Sequence, residues 1–306
     1  MINRSKIKYS LKKLLPKRIF DIVLGIWQKI LIKGILAIDK IRLKNFTTYR
    51  SIKTTHRGHD FSIFISPQNG FIDKHIYLYG IYEPHILDLI AKYLKEGGVF
   101  IDIGANIGQH SLFAGSIVGN SGKVYSFEPI PYIYNQLLDS VKINHFENII
   151  TAHNTALGEK DGTETLYVET NNVGGSSIVG HHGIENKKIS ITIKKVDDIL
   201  ANVERINMIK IDVEGYEYEV LSGMQKTLAR CNPIIILEFS GQLYFAKDKT
   251  RGEKIISLLE NAGYDLYDIE DYMKKVTSKN EFLSAFTKGK AQCDLLCVPK
   301  NSDYEI

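Results

Sequence analysis

The sequence predicts an α/β fold, in which a mostly parallel sheet of about seven strands is covered by helices on both faces. The first observation is that short apolar runs alternate with segments of helical pattern from residue 83 onward. The second is a buried-type strand, Val99–Ile103, that runs directly into a glycine turn, Gly104 to Gly108. The third is a basic, apolar N-terminal stretch that lies outside this alternation.

The individual elements follow from apolar periodicity and turn residues. The predicted strands are Val99–Ile103, Lys123–Phe127, Ile149–Asn154, Thr163–Glu169, Ile189–Ile193, Ile206–Asp212, Ile234–Glu238, Tyr264–Ile269 and Asp294–Pro299. The predicted helices are Glu83–Lys95, one that starts near Ile107, Tyr132–Asn144, Val196–Leu200, Tyr216–Met224 and Gly252–Ala262. Ahead of these, Phe61–Ile65 and Ile76–Tyr79 predict one or two short strands.

Charge is distributed unevenly along the 306 residues. Residues 1–44 hold 12 Lys or Arg and 2 Asp, a net charge of +10, whereas the remainder holds 27 basic and 33 acidic residues, a net charge of −6. Asp21, Lys29 and Lys33 interrupt the most apolar part of this segment, which argues against a membrane-spanning helix. No small-residue cleavage site indicates a secretory signal.

We therefore expect a basic, amphipathic helical arm over residues 1–57, followed by one α/β domain over residues 58–306. The arm is expected to pack on this domain or on a second subunit of a homo-oligomer. The alternative is that residues 1–44 contact an anionic membrane surface. The expected compartment is the cytoplasm. If the arm contacts a membrane, the protein is expected to lie peripherally at its inner face.

Three cysteines, Cys231, Cys293 and Cys297, cannot all pair within one chain. No second pair at metal-ligand spacing accompanies Cys293 and Cys297, so a zinc site is not expected. Buried, reduced thiols fit these positions and agree with a cytoplasmic protein.

The glycine turn after Val99–Ile103 is typical of a ligand site at the carboxyl end of a strand. A phosphate-binding P-loop would need Lys-Ser or Lys-Thr after the second glycine, and the dinucleotide pattern would need G-x-G-x-x-G. S-adenosylmethionine is the third candidate. Asp102 at the strand end suits its ammonium group, and Glu128, 20 residues after Gly108, is placed to accept hydrogen bonds from a ribose diol.

Five segments occur in an order that carries a family resemblance. They are Val99–Gly108 (VFIDIGANIG), Phe127–Pro129 (FEP), Ala156–Gly158 (ALG), Ile209–Gly215 (IKIDVEG) and Ile234–Glu238 (IIILE). The chain resembles the FkbM family of S-adenosylmethionine-dependent methyltransferases, from about Tyr82 to the C-terminus. This resemblance implies the class I methyltransferase, Rossmann-like fold and, usually, O-methylation of a sugar or polyketide hydroxyl. It does not cover residues 1 to about 60.

A set of residues around the glycine turn and the next two strands is expected to bind the cofactor. Asp102 is expected at its ammonium group and Glu128 at its ribose, and the other residues along its methionine or adenine parts. These residues are Asp102, Gly104, Ala105, Asn106, Gly108, Glu128, Pro129, Ala156 and Leu157.

Three acids are expected at the acceptor end, where the fourth and fifth strands finish: Asp212, Glu214 and Glu238. A hydroxyl acceptor needs a base or a hydrogen-bond acceptor for its proton, and Glu214 is the first choice, with Glu238 second. The alternative is that these acids only cap the following helix and align the loops. No metal is expected, because no third ligand position is evident beside paired acids.

Substrate contacts are expected from His110, in the first turn of the helix after the glycine turn, and from a glycine-rich segment after Glu169. Ser176, Ser177 and His181 belong to that segment, which resembles a lid over the acceptor. The alternatives are that His110 is an ordinary surface histidine and that the glycine-rich segment is a mobile surface hairpin.

The expected function is O-methylation of a hydroxyl on a glycan, nucleotide sugar or glycolipid. Methylation of a small secondary metabolite, methylation of RNA, and a binding protein without catalysis are the alternatives. The acidic body of the chain lacks a recognised RNA-binding module, so no nucleic-acid partner is expected.

Overall fold

The computed structural model describes residues 37–169, 173–178, 186–241, 243–244, 248 and 250–306. The chain divides into two compact units, residues 1–47 and residues 48–306, so the division falls at residue 47 rather than at the expected residue 57. Most of the predicted arm lies outside the described residues, and residues 37–44 within it are helical. Among the described residues, the helices lack the combination of length and hydrophobicity that a membrane span requires.

The strands of the second unit, numbered along the chain, are β1 (Arg50–His56), β2 (His59–Ile65), β3 (Val99–Ile103), β4 (Lys123–Phe127), β5 (Ile150–His153), β6 (Ala156–Gly158), β7 (Gly162–Glu169), β8 (Asn186–Lys195), β9 (Met208–Ile211), β10 (Ile234–Phe239), β11 (Tyr264–Asp268), β12 (Lys274–Lys275) and β13 (Cys293–Pro299). Its helices are α1 (Phe71–Tyr79), α2 (Pro84–Tyr93), α3 (Gln109–Val118), α4 (Pro131–Ile143), α5 (Val196–Ile199), α6 (Glu217–Gly223), α7 (Gln225–Cys231), α8 (Arg251–Asn261) and α9 (Lys279–Thr287).

The central sheet confirms the predicted doubly wound α/β fold, with the strand order β12-β11-β13-β10-β9-β3-β4-β5. Neighbouring strands from β10 to β5 pair in parallel, whereas β13 lies antiparallel between β10 and β11. Its strand count is eight rather than seven, because the two-residue strand β12 adds to the edge. The order reverses between β3 and β9, and ligands of such sheets bind at this switch point.

Two predicted strands belong to a separate sheet. Residues 163–169 and 189–193 lie in β7 and β8, which pair antiparallel, and β6 joins β8 in parallel. The sequence pattern identifies these strands, but it cannot show that their partners lie outside the central sheet.

The segment before the central sheet differs from the prediction. Phe61–Ile65 falls in β2, which forms an antiparallel hairpin with β1. Residues 50–56, which were expected in the arm, therefore pair with a strand of the expected α/β domain. Residues 76–79 are the end of α1 and not a strand. A short apolar run fits either structure, and here Asp73 and Ile76 are buried together on one helix face.

The turn after β3 is fixed by close packing against the end of β9. Gly104 has a φ of 83°, and a Cβ added there would lie 1.8 Å from the carbonyl oxygen of Asp212. The backbone N–H of Asp212 in turn donates to the carbonyl of Ile103 at 3.0 Å. The chain can therefore bring the two strand ends together only because residue 104 has no side chain.

Candidate active site

A cavity of about 450 Å³ opens at the carboxyl ends of β3, β4 and β9. Its size is within the range of small-molecule sites. Gly104, Ala105 and Asn106 line it, as the sequence predicts, whereas Gly108 does not. A Cβ at Gly108 would instead overlap Leu137 at 2.8 Å, so this glycine serves the packing of α3 against α4.

Glu128 is a buried carboxylate in the wall of the cavity, at 6% exposure. Its Oε2 accepts from the backbone N–H of Asn106 at 3.0 Å, and its Oε1 accepts from the backbone N–H of Ile130 at 2.8 Å. Burial raises the pKa of Glu128 to about 7, although these two N–H donors lower it. Each carboxylate oxygen keeps a further lone pair for a ligand hydroxyl.

Asp102 lies behind the turn and is not among the residues that line the cavity. It is fully buried, and its Oδ2 accepts from the hydroxyl of Ser111 at 2.6 Å. Its Oδ1 has no hydrogen-bond partner among the described residues. The expected contact with an ammonium group therefore stays a prediction, and the observed contact of Asp102 is with the first turns of α3.

The residues predicted beside an adenine ring also belong to the lining of the cavity. Pro129, Ala156 and Leu157 all line the cavity, with Ile130 next to them. These side chains offer an apolar surface at the end of the cavity that Glu128 also lines.

Three carboxylates converge in the same cavity. One oxygen each from Asp212, Glu214 and Glu238 lie within 4.8 Å of one another. Glu238 is held by two donors, the hydroxyl of Ser240 at 3.1 Å and the amide of Gln292 at 2.9 Å. This group has the composition of a divalent-cation site, so the structure offers a third possible ligand beside the pair, and the absence of a metal stays a prediction.

The three acids do not titrate like exposed carboxylates. Burial raises the pKa of Glu214 well above its usual range, and the charges of Asp212 and Glu217 raise it further. Burial also raises the pKa of Glu238, and the charges of Asp212, Glu214 and Glu217 raise it further. Glu214 also has a φ of 50°, in the left-handed region that non-glycine residues adopt uncommonly.

Lys210 and Glu83 are cavity residues that the sequence analysis missed. Lys210 is 4% exposed, and its ammonium lies 2.6 Å from Oδ2 of Asp212. Burial alone lowers its pKa, but the carboxylates of Asp212, Asp102 and Glu83 outweigh burial and raise it. A lysine inside the apolar strand Met208–Ile211 is the signal that could have identified it.

The predicted substrate residues separate into three groups. His110 and Ser176 line the cavity, and His110 is buried rather than on the surface. Ser177 does not line it, but donates its hydroxyl to the backbone carbonyl of Glu214 and pairs with Tyr167. His181 lies outside the described residues.

His110 has an unusual environment. Its Nε2 has no hydrogen-bond partner among the described residues and lies 3.6 Å from Oε2 of Glu83. Burial lowers the pKa of His110 well below its usual value, and the charge of Lys210 adds to this. The imidazole is therefore neutral at neutral pH.

The residue types around the cavity fit S-adenosylmethionine. Glu128 has oxygens that can accept hydrogen bonds from hydroxyl groups, the lining at Ile130 and Leu157 is apolar, and the carboxylates of Asp212, Glu214 and Glu238 suit a cationic group. This fold and this site define a class I S-adenosylmethionine-dependent methyltransferase. A family model described as the methyltransferase FkbM domain matches residues 102–266. The match covers more than half of the chain, which therefore belongs to the FkbM methyltransferase family, with S-adenosylmethionine as methyl donor.

Curated relatives agree with this assignment. "Methyltransferase 1" of Beauveria bassiana is 26% identical over 189 residues, which cover 54% of this chain and 72% of the relative. "Hexuronic acid methyltransferase AglP" of Haloferax volcanii is 28% identical over 162 residues, 50% of this chain and 61% of that protein. The crystal structure of methyltransferase FkbM from Methylobacillus flagellatus is 15% identical with a TM-score of 0.41, and the match covers 73% of this chain and 52% of that one.

Proposed function

We propose that the protein transfers the methyl group of S-adenosylmethionine to a hydroxyl oxygen of a sugar or glycan. The observation that carries this proposal is the convergence of Asp212, Glu214 and Glu238 in the cavity that Glu128 also lines. Carboxylates accept hydrogen bonds from hydroxyl groups, and a polyol presents several of them. The relative named as a hexuronic acid methyltransferase supports a sugar acceptor.

When bound, S-adenosylmethionine would supply an electrophilic methyl group to the acceptor oxygen, and its sulfonium would leave as a neutral thioether. Glu214 is the proposed base. Its carboxylate would take the proton that the acceptor hydroxyl loses on methylation. Glu238, fixed by Ser240 and Gln292, orients the hydroxyl through a hydrogen bond.

His110 and Ser176 are the proposed further contacts to the acceptor, since both line the cavity. Ser177 has a positioning role, because its hydroxyl holds the backbone of Glu214. His181 keeps its predicted role as a substrate contact.

The experiment uses the full chain, methyl-labelled S-adenosylmethionine, and glucuronic acid and its nucleotide sugar as acceptors. We expect mass spectrometry to find one added methyl group on a hydroxyl oxygen. Glu214→Gln should lower kcat by about 10²-fold or more while the affinity for S-adenosylmethionine is unchanged. Exposed Glu253→Gln is the matched control and should keep full activity. Methylation at nitrogen or carbon, or full activity of Glu214→Gln, would contradict the proposal.

A further inference from the structure

An aromatic stripe lies on the outer face of α1. Phe71, His75 and Tyr79 are spaced four residues apart, so they follow one another along a single helix face. Ring centroids are 5.7 Å apart between Phe71 and His75 and 4.7 Å apart between His75 and Tyr79. Tyr82 adds to the stripe, 5.5 Å from His75 and 6.0 Å from Phe71.

The opposite face of α1 packs on the domain. Ile76 is fully buried there. Asp73 is also buried, and its Oδ1 accepts from the backbone N–H of Ser66 at 2.6 Å and from the side-chain amide of Gln136 at 2.8 Å. By contrast, Phe71 is 54% exposed and Tyr79 is 52% exposed. Large aromatic side chains exposed together typically mark a binding surface.

The stripe is continuous with the active-site cavity. Phe71 and Tyr82 line that cavity together with Glu83, which belongs to its acidic end. From Phe71 to Tyr79 the helix rises about 12 Å, more than the length of one pyranose ring. A ligand that fills the acidic end of the cavity can therefore extend along α1.

Pyranose rings have an apolar face of C–H bonds and an equatorial rim of hydroxyl groups. That face stacks on an aromatic ring, whose π face is electron-rich, while the hydroxyls stay in water. A row of aromatic rings with exposed members at Phe71 and Tyr79 therefore fits consecutive sugar units better than it fits a single sugar or an extended lipid chain.

We infer that the Phe71–His75–Tyr79–Tyr82 stripe binds the second and third sugars of an oligosaccharide whose terminal sugar enters the cavity. The occupant is a glycan chain rather than a monosaccharide, and this inference rests on the proposed function.

The test measures dissociation constants by ligand-observed NMR titration on the full chain saturated with S-adenosylhomocysteine. The probes are glucuronic acid and the hyaluronan di- and tetrasaccharides that carry this acid at the non-reducing end. We expect the tetrasaccharide to bind about tenfold tighter than the monosaccharide. Tyr79→Ala and Phe71→Ala should reduce this ratio toward one, whereas Phe71→Trp retains it because it keeps the aromatic face.

Tyr272→Ala is the matched control, since Tyr272 is 96% exposed and does not line the cavity. It should keep the wild-type ratio. Equal affinity for all chain lengths, a ratio unchanged in Tyr79→Ala, or no binding of any probe would overturn the stripe as a glycan surface. The proposed function is judged separately by methyl transfer from the wild-type protein to the monosaccharide acceptors.

Discussion

Lys210 is the residue on which the electrostatics of the cavity depend. It is buried beside Asp212, and the carboxylates of Asp102 and Glu83 also raise its pKa. Removing one partner of a buried ion pair leaves an uncompensated charge. We therefore expect Lys210→Met to reduce the free energy of unfolding by about 3–5 kcal/mol, measured by urea denaturation at pH 7.

Lys194 provides the control for this prediction. Its ion pair with Asp161 has a similar length, 2.7 Å, but both side chains are about half exposed. Lys194→Met should change stability by less than about 1 kcal/mol, because water screens exposed pairs. Equal effects of the two substitutions would show that Lys210 is not the buried counter-charge of the acids.

Residue identities at the site were only partly predictable. Glu128, Asp212, Glu214 and Glu238 end neighbouring strands, and parallel strand ends meet at one edge, so their place in the cavity follows from the sequence. Lys210 and Glu83 could not be assigned in the same way. The first lies within a strand, and the second precedes helix α2 and does not follow a strand of the sheet.

At the scale of elements, the turn between β3 and α3 makes a direct prediction. Gly104→Ala adds a Cβ that would overlap the carbonyl of Asp212, at a φ of 83°. We expect a loss of more than about 3 kcal/mol of stability, because backbone cannot move aside as a flexible side chain can. Thermal unfolding measures this loss.

Gly263→Ala separates overlap from backbone strain. Gly263 has nearly the same φ, 87°, but a Cβ there would meet nothing within 4 Å. Its substitution should cost only about 1 kcal/mol. Similar losses in both variants would mean that the close approach of β3 and β9 is not what requires Gly104.

Element types were predicted well where periodicity is long and poorly where it is short. The strands and helices from β3 to β5 follow the prediction within a few residues. Residues 76–79 do not, because four apolar or aromatic residues fit a strand as well as the last turn of α1. The pairing of β7 and β8 outside the central sheet depends on tertiary contacts that no local pattern contains.

For the whole molecule, buried acids predict how stability depends on pH. Burial raises the pKa of Asp73 to about 6 and those of Glu83, Glu128 and Glu217 to about 7. Between pH 4 and 7 the folded state therefore binds more protons than the unfolded state, and the unfolding free energy falls as pH rises. We expect a higher Tm at pH 5 than at pH 8, with a difference of roughly 1 kcal/mol or more in stability.

Asp73→Asn and the surface variant Asp271→Asn test the origin of this slope. The first removes a buried carboxyl and should flatten the slope between pH 4 and 6, whereas the second removes an exposed one and should not. A Tm that rises steadily from pH 5 to pH 8 in the wild type would contradict the account.

The most direct test of the site is calorimetric titration of the full chain with S-adenosylmethionine, beside Glu128→Gln and the exposed control Glu253→Gln. In Glu128→Gln the side chain would still be buried in the wall of the cavity. Only its amide oxygen could accept hydrogen bonds, whereas both oxygens of the wild-type carboxylate can. We expect the wild type and the control to bind equally, and Glu128→Gln to bind at least about tenfold more weakly. Undiminished affinity in folded Glu128→Gln would show that the cofactor lies elsewhere in the molecule.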